Sequence, residues 1–153
     1  MTNLSIVIPT MNESENVDEL LQRIIPNAEK VVGQDFEIIF VDDDSKDSTR
    51  YQISQWQHDH RIKLILRREE KGLASAVLTG ARAAKGEILL IMDADLSHPP
   101  ETIPDIIRPI LDGKKDMVVG SRYVSGGSAP DWSVFRQLVS KTATLPARVF
   151  TDI

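Results

Sequence analysis

Asp93 and Asp95 stand two residues apart, directly after the apolar run 87–92. If the chain stays extended beyond that run, side chains two apart point to the same side, and both carboxylates can address one divalent cation. Hard cations such as Mg²⁺ or Mn²⁺ take oxygen ligands, and Mg²⁺ accepts one or two carboxylates before completing its shell with water and substrate phosphates. A diphosphate is then the natural third partner, and the chemistry is neutralisation of a departing phosphate group without a proton donor. Asp-x-Asp by itself is also the pattern of a solvated turn or helix cap. Its place after the buried-looking Ile88-Leu89-Leu90-Ile91-Met92 stretch favours the ligand reading.

Other charged residues collect after other apolar runs. Asp42-Asp43-Asp44 places three carboxylates together, and like charges raise one another's pKa unless a helix N-terminus or a ligand donates to them. Ser45 or Asp47 can cap the helix that follows, which leaves Asp42 and Asp43 for a base or ribose. Lys71-Gly72 opens a helix of small residues and could hold phosphate there. Arg67, Arg68 and Lys71 read equally well as a solvated face. Arg122 follows the run 116–120 and offers a planar fork to a diphosphate, or an ion pair to one of the aspartates. His58 and His60 are two apart and share no helix face. His98 precedes Pro99-Pro100, where the chain must stay extended, and can at most support the groups around Asp95.

These residues need elements that bring them to one edge. Five short apolar runs at 4–8, 36–41, 62–66, 87–92 and 116–120 alternate with segments of helical spacing, the pattern of a parallel α/β sheet. Rich in Ile, Val and Leu without strict polar alternation, they read as interior strands covered on both faces. Val17, Leu20, Leu21, Ile24 and Ile25 form the stripe of a first helix, with Pro26 at its end. Leu73, Ala76, Val77, Gly80, Ala81 and Ala84 form another, with Gly86 as its left-handed cap. Ile103, Ile106, Ile107, Ile110 and Leu111 form a third, kinked at Pro109 and closed by Gly113. Residues 48–60 carry a short apolar face, Ile53 and Trp56, and read as a helix. In a sheet of this kind every strand runs the same way, so the residues after each run share one edge, where ligands bind.

The 153 residues suit one domain with its own core. We expect an α/β nucleotide-binding core over 1–124, then a loop and helix over 125–153 that carry more basic than acidic side chains. The absence of cysteine excludes disulfides and thiolate chemistry and suits a reducing cytoplasm. A net charge of −5 argues against nucleic acid as a partner. The start of the chain lacks a basic lead and a long apolar stretch, so no signal peptide is expected. No window approaches the roughly twenty apolar residues of a membrane span.

Five segments together carry a resemblance: residues 6–17, 41–49, 70–80, 93–101 and 120–127, read in the sequence as IVIPTMNESENV, VDDDSKDST, EKGLASAVLTG, DADLSHPPE and GSRYVSGG. They resemble the inverting family-two glycosyltransferases of GT-A fold. The stretch 132–143, WSVFRQLVSKTA, is similar to the acceptor side of the polyprenol-phosphate mannosyl- and glucosyltransferases among them. The resemblance implies a Rossmann-like, mostly parallel sheet flanked by helices on both faces. It implies transfer of a hexose, mannose first, from a nucleotide sugar to a polyprenyl or dolichyl phosphate, with GDP-mannose favoured over UDP-glucose as donor. By the same resemblance Pro9, Met11, Glu13, Asp42, Asp43 and Lys71 belong to the nucleotide side, Asp93 and Asp95 to an Mg²⁺ or Mn²⁺ site, and Arg122 to the donor phosphates. Arg136 and Ser140 would meet the acceptor phosphate. Met11 stands where the family commonly has an aromatic residue, and Ser97 where it commonly has Gln. Members continue well beyond 153 residues, so the chain is expected to bind nucleotide and to lack part of the acceptor side. Peripheral contact with the cytoplasmic face of a membrane follows from the lipid acceptor. Three other readings stand beside it: a family-two transferase using a sugar hydroxyl, a non-catalytic nucleotide-binding module, and a signalling receiver domain. A receiver places its acidic pair after the first strand, where this chain has Thr10-Met11-Asn12.

Overall fold

The computed structural model describes residues 2–69 and 71–121. Four strands alternate with helices: β1 (Leu4–Thr10), α1 (Val17–Val32), β2 (Phe36–Asp42), α2 (Thr49–Trp56), β3 (Ile62–Leu66), α3 (Leu73–Ala83), β4 (Ile88–Ile91) and α4 (Ile103–Leu111), the last led in by a single 3₁₀ turn over Pro100–Thr102. The strands form one sheet in the order β3-β2-β1-β4, with every pairing parallel. The chain divides into two compact units, Met1–Val118 and Val119–Ile153, and the sheet belongs to the first.

Alternation along β1 and β2 supplies both faces of the core. Leu4, Ile6, Ile8, Phe36, Ile38 and Phe40 pack with the apolar sides of α1, α2 and α4, while Val7, Ile39 and Val41 pack with α3 through Ala76. Each fully buried Ile or Leu contributes about 1.5–3 kcal/mol of hydrophobic stabilisation. The close approach of α3 depends on Gly80, where a Cβ would stand 2.3 Å from Val7 Cγ1 and 3.1 Å from Val41 Cγ2.

Several sequence expectations are corrected. Pro26 lies inside α1 rather than at its end. Its missing N–H would have bonded the carbonyl of Gln22, and both residues are exposed, so water can serve that carbonyl while the helix goes on to bury Ala28. Gly86 is not a left-handed cap, since the C-cap of α3 is Ala84 in extended conformation. It is small because β1 is close: a Cβ there would lie 2.6 Å from Ser5 N and 2.7 Å from Leu4 C. The run 116–120 forms no strand; its three apolar residues find no ladder partner among the described residues, and Met117 is 77% exposed. Nor are all four strands interior. Within the described sheet β3 and β4 are edges, and Leu89 and Ile91 stand 42% and 46% exposed on the face that α3 covers only over β1 and β2.

The order β3-β2-β1-β4 places the chain's change of direction between β1 and β4. The loops leaving those two strands diverge there, opening the crevice where parallel α/β sheets hold their ligands. Thr10, Asp42 and Leu66 end their strands at one level, and the ladder to β4 extends one step past the strand through a bond from Met92 N–H to the Val7 carbonyl.

Candidate functional site

On one side of the crevice, three consecutive acids take three different positions. Asp42 is fully buried; its Oδ1 accepts from Ser45 N at 3.0 Å and its Oδ2 from Ser45 Oγ at 2.5 Å. The carboxylate expected to meet a base or ribose is therefore turned inward, where it closes its own loop. Asp43, 5% exposed, accepts from Gly72 N at 2.7 Å through Oδ2, and its Oδ1 lies 3.3 Å from Arg67 Nε. Asp44 reaches the surface in a left-handed conformation, φ 60°, ringed by Lys46, by Arg50 at 3.8 Å and by Lys71 at 3.6 Å. The hydrogen bond from Lys46 holds its carboxyl below the usual range. The mutual repulsion of the three acids is thus relieved by donors around each, with Arg50 within 4.0 Å of both Asp42 and Asp44. Sequence reasoning assigned Asp44 no ligand role, yet it is the acid of the three that faces outward.

The loop after β1 is tied to the loop after β2. Asn12, also left-handed at φ 61°, donates its N–H to Ser45 Oγ at 2.9 Å and accepts from Lys46 N at 2.8 Å through its side chain. Glu13 N donates to Thr49 Oγ1 at 2.8 Å, and Ser14 N to Asp47 Oδ2 at 3.1 Å. Asp47 Oδ1 also accepts from Thr49 N at 3.0 Å, serving the first N–H of α2 from outside the helix, while the N-cap position itself is Ser48 rather than Ser45 or Asp47. Burial acts to raise the Asp47 pKa, but the bonds from Thr49 and Ser14 outweigh it and bring it to about 2. Pro9 and Glu13 are half-buried on this rim, and Met11 is 55% exposed. Asn tolerates the left-handed region and Ser, Thr and Asp bond backbone locally. The density of those residue types was the available signal for this seam, which the sequence reading did not identify.

On the other side, the chain beyond β4 continues to alternate. Met92 and Ala94 are 2% and 3% exposed and belong to the core, whereas Asp93 is half-buried and Asp95 exposed. Burial alternates with the spacing, both acids standing more exposed than Met92 and Ala94 beside them, while the chain bends from residue 94 onward. Asp95 Oδ1 accepts from Ser97 N at 3.0 Å. Partial burial acts to raise the Asp95 pKa, and the Ser97 bond and nearby His98 bring it below the usual range. Asp93 N donates to His98 Nδ1 at 3.2 Å, and His98 Nε2 lies 3.7 Å from Asp93 Oδ2. Downstream, Glu101 is gripped by the Arg23 fork of α1 at 2.8 and 2.7 Å, which anchors the loop and lowers the Glu101 pKa to about 2.

Among the described residues no group of three or more His, Cys, Asp or Glu is arranged to hold a metal. The donor set is the Asp93/Asp95 pair, all oxygen and open to solvent, which fits a hard cation that draws further ligands from phosphate and water. The start of α3 is less free for phosphate than expected: the Gly72 N–H is already given to Asp43, and Lys71 lies nearest Asp44. His58 bonds the Gln55 carbonyl and stacks on Trp56, and His60 lies 4.0 Å from Asp59, so the two share no ion. Arg122, Arg136 and Ser140, like all of 122–153, lie outside the described residues.

Residues 5–150 match Glycosyl transferase family 2. The chain is 45% identical over 146 residues to the dolichol-phosphate mannosyltransferase of Pyrococcus furiosus, covering 95% of this chain and 40% of that protein. It is 37% identical over 149 residues to that of Saccharomyces cerevisiae, covering 96% and 55%. The chain thus spans about half the length of the curated relatives it matches. Among solved structures, the mannosyltransferase PcManGT from Pyrobaculum calidifontis in complex with GDP-Man and Mn²⁺ superposes with a TM-score of 0.54 at 28% identity, over 69% of this chain and 31% of that one. Glucosyl-3-phosphoglycerate synthase from Mycobacterium tuberculosis superposes with a TM-score of 0.61 at 24% identity, over 74% and 41%, a likeness of fold.

Proposed function

Since the chain belongs to glycosyl transferase family 2, we propose that it is the donor-binding part of an inverting enzyme that moves mannose from GDP-mannose to a polyprenyl phosphate. The observation that carries this reading is the Asp93/Asp95 pair, which stands out of the core just after β4, the strand beside β1, whose following loop forms the tied Asn12–Ser45 rim. Relatives named dolichol-phosphate mannosyltransferases support the lipid phosphate acceptor, and a neighbour solved with GDP-Man and Mn²⁺ supports donor and ion.

In this reading Asp93 and Asp95 hold Mg²⁺ or Mn²⁺, whose charge, when bound, neutralises the diphosphate. The β1–β2 rim receives the nucleoside, with Asp44 as its outward acid and Asp43 behind it, linked to the start of α3. Arg122 would add a planar donor to the phosphates, and Arg136 and Ser140 would hold the acceptor phosphate. An acceptor phosphate oxygen attacks the anomeric carbon; that bond forms as the bond from the carbon to the diphosphate oxygen breaks, and nucleoside diphosphate leaves. The attacking oxygen is already anionic near neutrality, so no general base is required. Rate enhancement then rests on positioning and on charge stabilisation. A polyprenyl acceptor brings the enzyme to a membrane surface, and we assign that contact to the cytoplasmic face. Among the described residues no helix is long and apolar enough to cross a membrane.

Calorimetric titration of the chain with GDP-mannose and with UDP-glucose, each with and without Mn²⁺, tests the donor reading. Mn²⁺-dependent binding of GDP-mannose is expected, and binding that ignores the ion would refute it. Transfer to polyprenyl phosphate, assayed beside a version extended to the relatives' length, tests the acceptor: the longer protein should turn over faster.

A further inference from the structure

His98 is half-exposed beside the carboxylate pair, and its ring lies against Asp93 by both nitrogens. Its chemistry is set by one contact. A backbone N–H can only donate, so the Nδ1 that receives the Asp93 N–H at 3.2 Å must carry a lone pair. The other ring nitrogen, Nε2, faces Asp93 Oδ2 at 3.7 Å. The ring is also held in place from downstream. Pro99 is extended at φ −62°, ψ 120°, Pro100 is buried, and Glu101 is clasped by Arg23 on α1. His98 thus returns to the start of its own loop from a fixed point on the far side.

We propose that His98 is a positioning residue, not a third metal ligand. Through Nδ1 it fixes the Asp93 peptide, and because Asp95 follows two residues later, that peptide sets the direction in which both carboxylates project. The inference rests on the reading that Asp93 and Asp95 hold the cation, and it deepens that reading by assigning the neighbouring histidine to the protein rather than to the ion. Groups that orient metal ligands without touching the metal typically change affinity by about ten- to hundredfold when removed.

Three substitutions separate the nitrogens. In His98→Asn the side-chain oxygen falls near the position of Nδ1 and can still accept from Asp93 N–H. In His98→Gln the terminal amide falls near Nε2 and leaves the Asp93 N–H unserved. His98→Ala removes both. Mn²⁺ is titrated by electron paramagnetic resonance into each protein with saturating GDP, and Asp95→Asn is measured alongside. Wild-type affinity in His98→Asn, with a loss of about tenfold in His98→Gln and His98→Ala, is the expected order. Retention by Gln with loss by Asn would make the far nitrogen a ligand and overturn the proposal, and so would equal affinities, or equal losses, in all three. If wild type binds no Mn²⁺, or Asp95→Asn binds it as well as wild type, the cation reading itself fails and the role of His98 falls with it.

Discussion

At the ends of β1 and β2 the polar side chains bond one another, whereas at the end of β4 the two carboxylates face solvent, each beside a short local contact. Asp42, Ser45, Asp47 and Thr49 serve backbone N–H groups of both their own loop and the loop after β1. Asp93 and Asp95 meet residues within five positions in sequence. A seam closed by its own hydrogen bonds holds its shape before any ligand arrives. A loop whose acids stand outward leaves their oxygens accessible to solvent. In the proposed reading the nucleoside side is thus part of the fold, and the ion side is an opening in it.

The comparison is broken most directly on the β4 side. Asp95→Asn should weaken Mn²⁺-dependent nucleotide binding by more than about hundredfold, because losing a ligand exceeds the cost of losing its support. Its thermal midpoint should be unchanged, since the side chain is exposed and bonds only Ser97 N among described contacts. A calorimetric titration beside a melt checks both; a stability loss without a binding loss would place Asp95 with the structural acids.

The opposite pattern is expected of Asp42→Ala. It strands the Ser45 N–H and hydroxyl in a buried site, and should destabilise the fold by about 1–3 kcal/mol in urea unfolding. Mn²⁺ affinity in the protein that remains folded should change less than in Asp95→Asn.

Gly86→Ala joins the two sides. The added Cβ meets β1 backbone, which cannot rotate away as a side chain can, and overpacking of this kind costs about 1–3 kcal/mol. By displacing the start of β4 from β1 it should impair Mn²⁺-dependent binding more than metal-free binding of the same nucleotide. Equal losses would mean that the register of β4 does not govern the ion side.

The smallest effect is in the acid range. Asp47 and Glu101 have folded pKa values near 2, below their ordinary values of 3.8 and 4.5. The unfolded chain therefore binds more protons between about pH 4.5 and 2, and the stability these groups supply, present above that window, is lost as pH falls through it. Both are exposed, which keeps the contribution modest. Melts at pH 7 and pH 3 should show a smaller pH-induced drop in Asp47→Asn and in Glu101→Gln than in wild type, and an unchanged drop would show that neither bond persists in solution.

Much of this was legible without coordinates, and the misses have a common cause. The four paired strands, the stripe of α1, the buried centres of α3 and α4 and the exposure of Asp93 and Asp95 follow from local periodicity, whereas Leu73 and Leu111, read into the stripes of α3 and α4, stand 63% and 44% exposed. Pro26 within α1, Gly86 against β1 and the unpaired run 116–120 depend on what a second segment does nearby. Of the three neighbouring acids the sequence says that they need donors and leaves Asp42 and Asp43 for a base or ribose, whereas the structure buries both and leaves Asp44 partly exposed.

The amino-acid sequence thus determined the element order, the parallel α/β class and the carboxylate pair that follows a core strand, because side-chain alternation and helical spacing act over a few residues. The tertiary structure alone decided which acid turns inward, which reaches the surface and which histidine nitrogen meets the Asp93 peptide. Those outcomes rest on hydrogen bonds between loops 30 or more residues apart, as between Asn12 and Ser45, or on the return of a loop upon its own start, as between His98 and Asp93. No residue type or spacing encodes a partner before the chain has brought it within reach.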